Sequence, residues 1–95
     1  MTEPLFSKIP NAVIEALFLR SRPAYQVRVI LFLLRMTYGF HRLRFKASIA
    51  ELARSVNMPR AATHLTIAQL LAEGVIDDVG GAWLVNHPDK WRSSP

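Results

Sequence analysis

Ser48-Ile-Ala-Glu-Leu-Ala-Arg-Ser-Val-Asn-Met-Pro-Arg-Ala-Ala-Thr-His-Leu-Thr-Ile-Ala-Gln-Leu-Leu-Ala-Glu-Gly74 is the stretch on which the fold turns. Ser48 and Glu51 have capping-box spacing: the serine hydroxyl can accept an amide hydrogen of the first turn while the glutamate reaches back to the cap. A short helix is therefore expected over Ile49 to Ser55, packing Ile49, Leu52, Ala53 and Val56. Asn57, Met58 and Pro59 form a turn, and a longer helix follows from about Arg60 to Glu73 until Gly74 stops it. Downstream, Val75-Ile-Asp-Asp-Val79 and Ala82-Trp-Leu-Val85 flank Gly80-Gly81, and paired glycines accept the positive φ that a two-residue hairpin turn demands. A capped helix, tight turn, second helix, glycine and hairpin make the winged form of the helix-turn-helix. The expected fold class is mainly α (α+β), a winged helix-turn-helix with a short two-stranded wing. One domain is expected over residues 1–95, with the helix-turn-helix at about 48–73, the hairpin at 75–85 and a tail at 86–95.

Working outward, Phe40 to Ala47 alternates Leu43, Phe45 and Ala47 with Arg42, Arg44 and Lys46, which predicts a short strand with a wholly basic outward face. Before it, Ser21, Arg22 and Pro23 start a helix that runs through Tyr25 to Met36 and ends ahead of Gly39. This helix is apolar nearly all round, which marks it as the central buried one. A shorter helix is marked by Pro10 and Asn11, carries Val13, Ile14, Leu17 and Phe18 at helical spacing, and stops near Arg20 to Ser21. The first six residues read as a loose lead-in, and Trp91 in the tail is a candidate to dock back on the core.

Two segments carry a family likeness. Phe6-Ser-Lys-Ile-Pro-Asn-Ala-Val-Ile-Glu-Ala-Leu17 and Val29-Ile-Leu-Phe-Leu-Leu-Arg-Met-Thr-Tyr-Gly-Phe40 resemble the N-terminal domain of the bacteriophage replication protein O family. The helix-turn-helix at Ser48 to Ile76 sits where that family has its own. The likeness covers about residues 6 to 85, and its distinctive parts are Lys-Ile-Pro-Asn and Arg-x-Thr-Tyr-Gly-aromatic. It implies a winged helix that binds repeated sites in a phage origin, with a separate C-terminal region recruiting the host helicase-loading machinery. The chain ends where that region would begin, so the resemblance implies DNA binding more than replication initiation.

Charge placement agrees with a polyanionic partner. The 95 residues carry 12 Lys and Arg against 7 Asp and Glu, a formal +5. From Ala16 to Ala72 there are nine bases and one acid, Glu51, giving 9 − 1 = +8, while the remainder gives 3 − 6 = −3. The absence of cysteine removes disulfides, thiol nucleophiles and sulfur-ligated metal sites, and fits a reducing cytoplasm. The longest apolar run, Val29 to Leu34, is far short of the roughly 20 residues of a membrane span, and no signal peptide is read at the N-terminus. A cytoplasmic protein with no membrane contact is the expectation.

On the helix from Arg60 to Glu73 the inward stripe is expected to be Thr63, Ile67, Leu70 and Leu71, leaving Arg60, Ala61, His64, Leu65 and Ala68 outward. Direct readout favours Arg, Lys, Asn or Gln at base edges, and Arg60 and His64, with Gln69 on the flank, are nearly the whole polar supply. The hairpin carries Asp77 and Asp78, which repel phosphate, so Arg42, Arg44, Lys46 and Arg54 must hold the backbone. The candidate DNA-binding set is thus Arg42, Arg44, Lys46, Arg54, Arg60, His64 and Gln69. Ala61, Leu65 and Ala68 form a small-residue strip on which two such helices could approach, a candidate homodimer interface. Arg28 and Arg35 lie seven apart on one stripe and read as structural, their stems on the core and their heads in water or at a carboxylate such as Glu15.

Catalysis is not expected. His41, His64 and His87 lie on different elements without ligand spacing, no phosphate loop or hydrolase triad order occurs, and neither metal nor cofactor is implied. Two functions remain. The first is a double-stranded DNA-binding protein of phage or mobile-element type, acting as a homodimer on a repeated or inverted site. The second is a protein interaction module, an adaptor or inhibitor that docks a host or phage replication or defence protein through the apolar helix and basic face.

Overall fold

A computed structural model describes residues 9–92 of the chain. The lead-in expected over residues 1–6 and the end of the tail, residues 93–95, lie outside the described residues. Pro10 and Pro23 stand at the N-caps of the first two helices with extended ψ, and their carbonyls accept the first helical amides, Val13 N and Gln26 N, both at 3.0 Å. Proline suits this boundary because the first-turn amides have no intrahelical acceptor and its φ is already helical. Helix α1 (Asn11–Leu19) buries Val13 and is followed by extended Arg20. Helix α2 (Ala24–Thr37) buries Gln26, Val29, Ile30, Leu33, Leu34 and Thr37. Its buried Thr37 hydroxyl is satisfied by donating to the Leu33 carbonyl at 2.7 Å.

Helix α2 is not buried on every side. Tyr25, Arg28, Leu31 and Arg35 form an exposed face, with Leu31 51% accessible. The core side of α2 packs against α3 (Ile49–Val56), α4 (Arg60–Ala72), β1 (Phe45–Lys46) and β3 (Ala82–Val85). Ile30, Leu33, Leu34, Leu52, Leu70 and Ile76 are the largest fully buried side chains, so the core lies where α2 crosses the helix-turn-helix and the sheet.

The strand expected over Phe40 to Ala47 shortens to Phe45–Lys46. Tyr38–Phe40 is instead a 3-10 turn, and His41 is left-handed at φ 56°. The amides of His41 and Arg42 donate to Tyr38 and Thr37 carbonyls at 3.0 and 2.9 Å, so they cap α2 and are not free to pair in a sheet. Leu43, expected on the apolar side, is accordingly 68% exposed. The two residues that remain in strand form add an edge to the wing. The sheet has three antiparallel strands in the order β1, β3, β2 (Ile76–Val79), with Phe45 opposite Trp83 and Asp78 opposite Trp83 on its other side. The wing hairpin is thus anchored by a third strand, and the Trp83 indole donates to the Ala47 carbonyl at 2.8 Å.

Gly80 and Gly81 have φ of 62° and 86°, the two positive values expected of the hairpin turn, and Asp78 accepts the Gly81 amide at 2.9 Å. The tail folds back as well. Trp91 is buried, its indole donating to the Asn86 carbonyl at 2.9 Å, and the Asn86 side chain donates to the Gly74 carbonyl at 2.9 Å. The architecture is mainly α with a small antiparallel sheet, winged-helix-like as the sequence implied. No helix among the described residues is long and apolar enough to cross a membrane.

Candidate nucleic-acid interface

The interface is built on the capping box. Ser48 Oγ accepts the Glu51 amide at 3.1 Å while the Glu51 carboxylate accepts the Ser48 amide at 2.8 Å. The Ser48 amide, then the Ser48 hydroxyl, hold the Glu51 carboxyl below its ordinary range against a small opposing effect of burial, and the Arg54 charge adds to the lowering. The one acid of the basic block is thereby held, ionised, at the first turn of α3, where the helix dipole favours it.

Asn57 ends α3 in the left-handed conformation, φ 55°, and Met58 anchors the turn in the core. Pro59 then caps α4 with no side-chain hydrogen bond and no acid in the first turn. That end presents amide hydrogens and a positive dipole. Beside it lies an open depression of about 650 Å³ lined by Ala50, Ala53, Arg54, Asn57, Met58 and Arg60. Arg54 and Arg60, from the two helices, are brought together there.

The buried stripe of α4 is Thr63, Thr66, Ile67 and Leu70, with Leu71 half-buried at its edge. The threonines sit on the inward face because their hydroxyls bond back to Pro59 and Ala62 carbonyls at 3.0 and 2.8 Å. Arg60, Ala61, His64, Leu65 and Ala68 are all exposed, Leu65 by 59%. Neither the Arg60 nor the His64 side chain has a hydrogen bond or ion pair among the described residues, and the same holds for the side chains of Arg44 and Lys46 at the β1 edge.

Two other members of the sequence-derived set are engaged elsewhere. The Arg42 Nε donates to the Met36 carbonyl at 2.7 Å, and its guanidinium lies 5.1 Å from the Phe40 ring centre and 5.2 Å from that of Phe45. Gln69 accepts from the Gln26 amide at 3.3 Å and lines a separate cavity of about 460 Å³ with Arg20, Ser21, Arg22, Pro23, Gln26 and Glu73. Within that cavity Arg22 donates to Glu73 at 2.8 Å and to Gln26 at 2.8 Å, and packs 5.2 Å over Trp91. One of the nine cations of the basic block is thus paired with a carboxylate just beyond it.

Arg28 is exposed, as expected, but its guanidinium reaches backbone oxygens rather than a carboxylate, lying 3.4 Å from the Val56 and Asn57 carbonyls beside the helix-turn-helix turn. The seven-residue spacing to Arg35 was visible in the sequence, but the turn it reaches is 28 positions away in the chain. Among the described residues no group of three or more His, Cys, Asp or Glu side chains could hold a metal ion.

No curated protein and no solved structure matches the chain. A family model does, that of bacteriophage replication protein O, over residues 2–91. This span takes in both segments that carried the likeness, the whole helix-turn-helix and the three strands, and the chain belongs to the bacteriophage replication protein O family.

Proposed function

We propose that the chain serves phage replication by binding double-stranded DNA, with α4 directed at the major groove. Family membership carries the role in bacteriophage replication. The observation that carries the DNA reading is the meeting of Arg54 and Arg60 beside the start of α4, which has no side-chain cap, in a depression lined by no carboxylate among the described residues. A phosphate there meets two guanidiniums and free amide hydrogens, and phosphates set register while base edges set sequence. Arg60 and His64 are then the base readers. Arg44, Lys46 and Arg54 hold the backbone, and Arg42 adds its charge from beside β1. The chain acts by binding, as a homodimer on repeated or inverted sites, and no catalytic step is assigned to it.

A second reading rests on Leu65, exposed between Ala61 and Ala68 on the outward face of α4. Such a strip suits a protein surface, either a second copy or a replication protein, better than water. The two readings compete for one helix face, which makes them separable. Light scattering with and without duplex DNA, followed by gel shifts at two salt concentrations, decides between them. A salt-dependent shift that Arg60→Ala weakens more on the cognate site than on random duplex supports groove reading. A stable dimer dispersed by Leu65→Ser, with no shift on any duplex, supports the protein surface.

A further inference from the structure

We propose that the solvent face of α2 is a docking strip for an acidic, amphipathic helical segment of another protein, with Arg28 and Arg35 flanking Leu31. The strip uses none of Arg44, Lys46, Arg54, Arg60 or His64, and it meets the proposed DNA interface only at its ends, where Arg42 shares the Phe40 ring and Arg28 reaches the Asn57 carbonyl. Arg28, Leu31 and Arg35 fall at i, i+3 and i+7, one face of the helix, and the arginines are about 10 Å apart along its axis. All three are exposed, whereas Val29, Ile30, Leu33 and Leu34 fill the core on the other side. The face therefore contributes no buried apolar side chain to the core, and its Arg28 guanidinium only edges the helix-turn-helix turn, 3.4 Å from the Val56 and Asn57 carbonyls.

Its arginines are set in place. The Arg28 guanidinium lies 5.6 Å from the Tyr25 ring centre and that of Arg35 lies 4.9 Å from the Phe40 ring centre. Arg42 also packs on the Phe40 ring, at 5.1 Å. Cation–π stacking of this kind restrains side chains that would otherwise lose rotamer freedom on binding. Helix α2 contains no acid, and none of the three arginines enters an ion pair among the described residues. Between them Leu31 and Phe40 are each 51% exposed. Arginine and aromatic side chains around an apolar centre are the composition of binding hot spots.

Charge complementarity selects the occupant. A second copy would set guanidiniums against the same guanidiniums, an unfavourable meeting of like charges. A phosphate backbone offers nothing apolar to cover Leu31. Stacked bases need the faces of Tyr25 and Phe40, which the arginines already overlie. A helix with carboxylates seven residues apart and an apolar side chain between them meets every feature: two charge-assisted pairs and one buried leucine.

The test is selection from a random display library of peptides about 16 residues long, enough for four helical turns, on the full chain. The same library is depleted on the Arg28→Gln, Arg35→Gln double variant. Peptides with Asp or Glu seven apart around an apolar residue are expected to be enriched. The recovered peptide should bind the double variant and Leu31→Ser about tenfold more weakly or worse, as loss of a hot spot does. Glutamine keeps much of the arginine stem on the helix, and unchanged melting of the variants verifies their folds. Because the chain has no cysteine, Leu31→Cys also gives a single thiol for an environment-sensitive dye, whose emission should shift when the peptide binds. Failure to enrich acidic peptides, or equal binding to the double variant, overturns the proposal. So does a double variant that drops from dimer to monomer, which makes the face homotypic. So does one that loses duplex affinity and salt slope as Lys46→Ala does, which makes it a nucleic-acid contact.

Discussion

Removal of Lys46 is the sharpest probe of the proposed DNA interface, because its effect is fixed by counting. Among the described residues the side chains of Arg44, Lys46 and Arg60 have no hydrogen bond or ion pair, and Arg54 stands exposed near the ionised Glu51. Four phosphates neutralised by these four side chains give a slope of log K against log salt of about −3.6. Affinity then falls about 150-fold between 50 and 200 mM salt. Lys46→Ala removes one contact, which brings the slope to about −2.7 and the fall to about 40-fold. Fluorescence anisotropy titrations of a labelled duplex over that salt range measure both slopes. Lys46→Ala should weaken cognate and random duplexes alike, because a phosphate contact carries no sequence information. Arg42→Ala is the internal control: its guanidinium is bonded to Met36 and stacked on two rings, so its loss should change the slope by less than half as much. A wild-type slope shallower than about −1, or a Lys46→Ala slope equal to the wild type, refutes the placement of phosphates along this edge.

Three stability predictions follow from the same structure. At Gly74, φ is +73° and an added Cβ would collide with the Lys90 carbonyl oxygen, whereas at Gly81, φ +86°, the space is open. Gly81→Ala should therefore lose about 1 kcal/mol and Gly74→Ala clearly more, with melting falling about 4–8 °C per kcal/mol; equal losses would show that the tail is not held against Gly74. Glu73→Ala leaves the Arg22 side chain, 8% exposed, without its carboxylate, and urea unfolding should show a loss of about 3 kcal/mol. A loss below about 1 kcal/mol would class the pair with solvent-exposed bridges. Because the folded Glu51 carboxyl is held below its ordinary value, its contribution to stability is full above the unfolded carboxyl's range and disappears as pH falls through the lowered folded value. The stability gap between wild type and Glu51→Gln should therefore close on acidification, and a gap that is constant with pH would exclude the ionised capping contact.

Local signals were legible in the sequence, and long-range partners were not. The Ser48 and Glu51 box and the Gly80-Gly81 turn are each satisfied within a few residues, so spacing alone described the box's two hydrogen bonds and the turn's positive φ, though not the Asp78 carboxylate that accepts the Gly81 amide. The strand over Phe40 to Ala47 was over-read because its alternation is local while the fate of its amides is not. Thr37 and Tyr38 had already taken the amides of Arg42 and His41 to finish α2. Gln69 looked available for DNA because its partner Gln26 lies 43 positions away, and Arg22 and Glu73 are 51 apart. Periodicity separated the inner and outer faces of α4, but the inward stripe of Thr63, Ile67, Leu70 and Leu71 leaves out Thr66, which is buried. Back-bonding to Ala62 lets that residue sit inside.

The apolar outward face of α4 constrains how the proposed DNA reading can work. A well-placed bidentate contact is worth about 1–3 kcal/mol of discrimination, and α4 offers one guanidinium, Arg60, and one imidazole, His64, for that purpose. Ala61, Leu65 and Ala68 can add contact with thymine methyl groups, which favours A·T pairs without hydrogen bonding to them. Specific binders commonly prefer their sites by about 4–10 kcal/mol over random duplex. One copy of this helix reaches only the lower part of that range. Repetition supplies the difference, because a second copy held on an adjacent site adds its own discrimination at high effective concentration. A single site should therefore be preferred over random duplex by no more than about 4 kcal/mol, and two correctly spaced sites should be preferred by far more. If one isolated site matches the affinity of a pair, α4 must read bases through side chains other than these, and the assignment of Arg60 and His64 fails with it.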